Sequence, residues 1–381
     1  MGDLAVPVKE RAGIKKYVLM SVTSGVGLIP QIEKFGREIA GNAYSSYYVI
    51  KKNDFAYNKS ATKQFPEGYI SMLTEYEEAA LPNSIFTCFR FVDEECIPQF
   101  FDHLFHNNYH GSWLRKYIEV GARAHGSLSV DTKHLWDMPV ALPRKEEQQK
   151  IADCLSSLDD LITAEDKKLE ALKAHKKGLM QKLFPAVGNT VPEWRFPEFR
   201  DCGEWGIKEL SGLCYMQAGK FVQASEIHEE RKSNMYSCYG GNGLRGYTYS
   251  FTHSGEYSLI GRQGALCGNI TYATGDFHAT EHAVVATNKN QVFAKWLYYL
   301  LVKMDLNQYA TGQAQPGLSV QAIERIMTCA PKEEKEQQKI ANCLSSIDDL
   351  IAKQIQKIES LTLHKKGLMQ GLFPSIEEVS E

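Results

Sequence analysis

The apolar positions from Ile151 onward recur at alternating steps of four and three: Ile151, Leu155, Leu158, Ile162, Glu165, Leu169, Leu172, Lys176, Leu179 and Leu183. That spacing is a heptad seam, the pattern of a helix that buries one stripe against another helix. The same spacing returns at Ile340, Leu344, Ile347, Ile351, Gln354, Ile358, Leu361, Lys365, Leu368 and Leu372. Each seam is polar at the same two places. Pro185 and Pro374 fall just past the ends, where a helix can stop. Gly178 and Gly367 sit inside the period, where glycine weakens the last turns.

The two seams belong to one duplicated segment. Residues 147–185 and 336–374 align without a gap at an offset of 189, with 27 identities in 39 positions. Each copy opens Glu-Gln-Gln-Lys-Ile-Ala and closes on Leu-Phe-Pro. A lone amphipathic helix of this length would leave a long apolar stripe in water, so the two copies are expected to pack on each other. Pseudo-twofold symmetry favours an antiparallel pair, a rod of about 58 Å at 1.5 Å per residue. The expected layout is a first domain at 1–143, a helix at 144–185, a second domain at 186–331, a helix at 332–374 and a tail at 375–381.

The two domains show little similarity to each other, so two constant frames carry two different inserts. The second has β-type composition with glycine punctuation, as in Tyr239–Tyr247 and Tyr257–Gly264, read as short strands with tight loops. Val292–Leu306 reads as an apolar helix, and 311–317 as a polar loop. In the first domain Tyr47–Ile50 and Phe55–Ser60 read as strands, Ile97–Phe105 as a helix and 121–127 as a loop. The fold class is therefore α+β: two globular domains of mixed sheet and helices, separated by two long helices in an antiparallel intramolecular coiled coil.

Composition changes this picture little. With 43% hydrophobic and 23% charged residues the chain is ordinary globular material, and no apolar run suggests a membrane span. A cytoplasmic location and no membrane partner are expected. The net charge of −3 argues against indiscriminate nucleic-acid binding but leaves room for a local basic face. Nine scattered cysteines without a Cys-x-x-Cys pair read as reduced thiols.

Two divergent domains, each followed by a near-identical helix, resemble the specificity subunit of type I restriction–modification systems. The Gly-Leu-Ser-Val and Ile-Gly-Arg-x-Gly segments fit the same family. The resemblance implies two target-recognition domains, each reading one half of a split site on double-stranded DNA. It implies docking of two modification (adenine methyltransferase) subunits and of restriction/translocase subunits. In one respect the chain departs from the pattern. About 50 residues separate Pro185 from Tyr236-Ser237, but only about 20 separate Met1 from the matching Met20-Ser21. The first domain is thus expected to lack an opening segment of roughly 30 residues.

No catalytic, cofactor-binding or metal-binding motif is expected in this chain. It has no Asn-Pro-Pro or Asp-Pro-Pro methylase motif, no phosphate loop and no HExxH. S-adenosylmethionine, ATP and magnesium are expected on partner subunits. Asp159-Asp160 and Asp348-Asp349 are read as a solvated face or partner contact, and His175-Lys176-Lys177 with His364-Lys365-Lys366 as a basic face. Base reading needs polar side chains on loops that reach a groove. The candidates are Lys59, Ser60, Arg123, His125 and Ser127 in the first domain. In the second they are Asn242, Arg245, Arg262, Gln263, Asn269, Gln313 and Gln315. Two alternatives stand beside the DNA-reading subunit. One is a structural coiled-coil adaptor that binds proteins, and the other an inactive truncated allele serving as a recombination donor.

Overall fold

The structure, a computed structural model, describes residues 1–40, 43–60, 62–118, 123–124, 127–128, 131–264, 266–312 and 316–380; at 123–124, 127–128 and 380 it describes the backbone alone. The chain forms two compact units: Met1–Asp166 with Lys357–Glu381, and Lys167–Gln356. The duplicated segments are continuous helices of 39 residues, Lys145–Leu183 and Glu334–Leu372. Each unit takes one half of each helix. Among the described residues no helix is long and apolar enough to cross a membrane, and no cluster of three acidic, histidine or cysteine side chains could hold a metal.

In the second unit a six-stranded sheet runs Cys214–Ala218, Ala283–Asn288, His253–Gly261, Ile270–Ala279, Tyr236–Gly240, Gly243–Thr248. All neighbours are antiparallel except Tyr236–Gly240 beside Ile270–Ala279. The helix Ala294–Met304 packs on this sheet and buries Trp296, Leu297, Tyr299, Leu300 and Leu301. The first unit has two four-stranded sheets. One runs Ala5–Pro7, Phe86–Phe91, Phe55–Asn58, Tyr69–Met72; the other runs Gly27–Pro30, Val18–Thr23, Glu78–Leu81, Tyr48–Lys51. Its core is aromatic, with Phe55, Phe89, Phe101 and Phe105 wholly buried.

The two units share a plan that their sequences hide. In one, Phe86–Phe91 lies between Ala5–Pro7 and Phe55–Asn58. In the other, Ala283–Asn288 lies between Cys214–Ala218 and His253–Gly261. Each unit also docks a hairpin through one parallel contact, Val18–Thr23 on Glu78–Leu81 and Tyr236–Gly240 on Ile270–Ala279. The match of Met20-Ser21 with Tyr236-Ser237 is the match of these hairpins.

A buried glutamine ties each domain to its helix in the same way. Gln148 accepts from the Ile97 amide at 2.9 Å and donates to the carbonyls of Glu95 and Pro143. Gln337 accepts from the Phe293 amide at 2.8 Å and donates to the carbonyls of Gln291 and Pro331. Ile97 and Phe293 are the N-cap residues of Pro98–His106 and Ala294–Met304, so each glutamine closes a helix start that lacks a side-chain cap. Glu336 is buried under Arg195, which grips both its oxygens at 2.7 Å, and Trp205, which donates to it. Its counterpart Glu147 is exposed.

Within each unit the helix halves run antiparallel, and the polar seam positions carry the register. Lys365 binds Asp159 in the first unit, and Lys176 binds Asp348 in the second, both at 2.5 Å. These are one contact repeated at the 189-residue offset. In the first unit Glu165 also pairs with Lys357. Asp160, Asp349, His175, His364, Lys177 and Lys366 are exposed as expected. Lys176 and Lys365 depart from the basic-face reading, because they are half-buried and paired.

Ile151, Leu155, Leu169, Leu183, Ile340, Leu344 and Ile347 are buried, and Leu158, Ile162, Leu172, Leu179, Ile351, Ile358, Leu361 and Leu368 are half-buried. Leu372 is the correction: it is 37% exposed, while Met369 and Phe373 are buried. Its counterpart Leu183, at the same point of the other seam, is 1% exposed, so the difference is set by what each domain packs against the helix end rather than by the seam period.

A third side chain meets each ion pair. The Tyr299 hydroxyl donates to Asp348 at 2.6 Å, and His103 lies 3.9 Å from Asp159 while its Nε2 meets Ser156. Burial, reinforced by Lys365, pushes the His103 pKa down to about 4, so the first unit has a neutral ring where the second has a phenol. The pairs should be energetically coupled. Asp348→Lys alone should lower the thermal midpoint, because two lysines then share the seam. Adding Lys176→Asp should recover about 1 kcal/mol of coupling, measured by a double-mutant cycle in urea.

Candidate nucleic-acid interface

Close-packed glycines build the loop cluster at one edge of the second unit's sheet. A Cβ on Gly261 would stand 1.8 Å from the Gly241 carbonyl oxygen, so only glycine lets these backbones touch. Gly268 has φ +86°, and a Cβ there would collide with the Asn307 amide at 2.4 Å. Gly261 donates to Asn269 O, and Gly268 donates to Gly261 O. Arg262 donates its amide to His282 O and accepts from Leu318 N, while Gly264 donates to Pro316 O. The hairpin turn 240–243, the loop 261–269, the turn at His282 and the segment 316–318 are thus laced together by main-chain hydrogen bonds.

These loops border an open cavity of about 480 Å³ lined by Gly240, Gly241, Asn242, Gly243, Leu244, Arg245, Gln263, Gly264 and His282. Three of the sequence candidates, Asn242, Arg245 and Gln263, meet here, all exposed. Asn269 joins them through a 3.4 Å hydrogen bond to Asn242. It also lines a second cavity with Tyr298 and Asn307. The lining supplies guanidinium, amide and imidazole groups, a set suited to the acceptor and donor edges of base pairs. Arg245 makes no ion pair among the described residues. Arg262 is half-buried, and its Nε finds no hydrogen-bond partner among the described residues. Gln313 and Gln315 lie outside the described residues, although the bridges Thr311–Gly317 and Gln263–Gly317 bring their flanks to the cluster.

The first unit gathers fewer candidates. Lys59 and Ser60 follow Asn58, whose side chain donates to Val22 O beside the turn 23–27. Lys59 is half-buried, and desolvation lowers its pKa. Arg123 and Ser127 lie on a two-stranded ribbon, Arg123–Ala124 paired with Ser127–Leu128, and their side chains are outside the described residues. His125 lies outside them altogether. Sequence reasoning missed His282, which sits at the turn before a buried strand and carried no glycine signal of its own. It also missed the turn 23–27, the counterpart of the cavity hairpin, where Gly25 and Gly27 have φ +80° and +115°.

The family model described as "Type I restriction modification DNA specificity domain" matches residues 30–174 and 203–360. Among curated relatives, the chain is 44% identical over 144 residues to the type I restriction enzyme EcoprrI specificity subunit of Escherichia coli, covering 38% of this chain and 36% of that protein. It is 25% identical over 284 residues to the MjaVIII specificity subunit of Methanocaldococcus jannaschii, covering 68% and 66%. The chain thus spans about a third to two thirds of these relatives. The crystal structure of a type I restriction–modification S subunit from M. genitalium superposes with a TM-score of 0.64 at 16% identity, covering 98% of this chain and 95% of that one. At that identity the likeness is one of fold.

Gly261→Ala should cost about 1–3 kcal/mol and open the cluster, because the turn at Gly241 must move to admit a methyl group. Gly178→Ala, where a Cβ meets nothing within 4 Å, should stabilise by roughly 0.5–1 kcal/mol. Urea titration of the two variants distinguishes a packed glycine from a merely flexible one.

Proposed function

The chain belongs to the type I restriction–modification DNA specificity family, and from that premise we propose that it is the DNA-reading, non-catalytic subunit of such a system. The observation that carries the reading is the pairing of two family matches, each ending in a copy of one helix, with unlike loops at corresponding places in the two units. In the second unit those loops form a cavity that carries guanidinium, amide and imidazole side chains, its guanidinium without an ion pair among the described residues. Unlike loops on like frames suit a bipartite target whose halves differ. Family membership favours this reading over a structural adaptor.

The proposed partners are double-stranded DNA, two modification subunits that methylate adenine, and restriction/translocase subunits. S-adenosylmethionine, ATP and magnesium are proposed to bind those partners, and this chain is proposed to act in the cytoplasm. Its own contribution is to position the duplex. Phosphate contacts hold the register, and loop side chains select the sequence.

The purified chain should bind no S-adenosylmethionine in calorimetry and methylate nothing. With its cognate modification subunit, methylation should appear at one motif of two short unlike halves with an indifferent spacer. A continuous motif, or methylation at every adenine, would overturn the proposal.

A further inference from the structure

We propose that Arg245 reads a guanine in the major groove and fixes one base pair of the half-site recognised by the second unit. The inference rests on the DNA-reading function above and adds a residue and a base to it. Arg245 is the only arginine or lysine among the residues lining the cavity at 240–245, 263–264 and 282. It is exposed and makes no ion pair among the described residues, so its five donors are uncommitted.

Its base is held firmly. A Cβ on Gly240 would lie 3.7 Å from Arg245 Cδ, so the arginine stem runs across the facing strand. The next residue, Gly246, has φ +154°, and a Cβ there would stand 2.5 Å from His228 O and 2.7 Å from Ile227 Cγ2. The strand is thus packed closely against 227–228, and His228 and Tyr247 exchange two main-chain hydrogen bonds beside it. The hairpin is also fixed from below, where Thr280 donates its amide to Tyr239 O.

A planar fork on a rigid hairpin matches two acceptors in one plane. Guanine offers such a pair, O6 and N7, and bidentate arginine is the commonest specific contact to it. The neighbouring amides differ from Arg245 in kind. Asn242 is engaged with Asn269, whereas Arg245 brings charge as well as geometry. A phosphate contact would use that charge without the fork.

The test uses the full chain assembled with its cognate modification subunit on duplexes carrying the mapped motif. Each guanine of the second half-site is replaced in turn by 7-deazaguanine, which lacks the N7 acceptor. Wild-type affinity should fall roughly 5- to 140-fold at one position and little elsewhere. The Arg245→Ala complex should bind more weakly but show no further loss at that position. Arg245→Lys, which keeps the charge and loses the planar fork, should bind more tightly than Arg245→Ala and show a smaller loss at that position than wild type.

Three results would overturn the inference while leaving DNA reading intact. They are a half-site without guanine on either strand, undiminished 7-deazaguanine sensitivity in Arg245→Ala, and equal weakening on all sequences with a shallower salt dependence. Absence of any sequence-selective binding by the wild-type complex would instead overturn the proposed function. Melting curves of both variants verify that the hairpin's fold is kept.

Discussion

An amphipathic helix of 39 residues has to hide its apolar stripe, and this chain meets that need by containing the helix twice. In each unit one helix half covers the other, and the covering has a fixed register. Apolar packing alone leaves the register of two similar helices weakly determined, because a slip by one heptad again puts apolar on apolar. The half-buried pairs Lys365–Asp159 and Lys176–Asp348 restrict that freedom, since a slip would leave each charge partly desolvated without its partner. They meet at corresponding points, so one sequence solution serves both halves.

From this frame the attachment of each domain follows. Gln148 and Gln337 stand at the same place in the repeat, and each caps the start of the domain helix packed against it. Capping one helix from another is a stringent arrangement. The glutamine must be buried to exclude water, and its three hydrogen bonds must all be made. The frame can therefore tolerate wide divergence in the loops while keeping the domain helix in place. His103 and Tyr299 show how much divergence is tolerated even beside an ion pair.

Much of this was legible in the sequence, for physical reasons. The heptad period lies on one strand of text, and a 27-of-39 identity needs no geometry to be seen. The α+β class and both domain helices were legible as well. The ion pairs were not, because a helical period says which positions face inward but not what faces them. The period puts Lys176 in the seam, while the His175-Lys176-Lys177 run around it reads as a basic face. Leu372 departs from its buried counterpart Leu183, a difference that a period shared by both copies cannot show. The shared sheet plan was invisible because strand pairing lies between distant segments whose side chains have diverged. In the candidate site Asn242, Arg245, Gln263 and Asn269 were found through glycine punctuation, since the close approaches that need glycine also bring these loops together. His282 lacked that signal.

The central claim is that two interchangeable frames carry two independent readers. Its most direct measurement is the methylated motif of a chimera in which Leu213–Pro331 is replaced by Leu4–Pro143, expressed with the cognate modification subunit. The replaced and replacing segments begin and end at matching points of the two units. The expected result is a motif with two copies of the first half-site and none of the second. Retention of the second half-site in the methylated motif would contradict the claim.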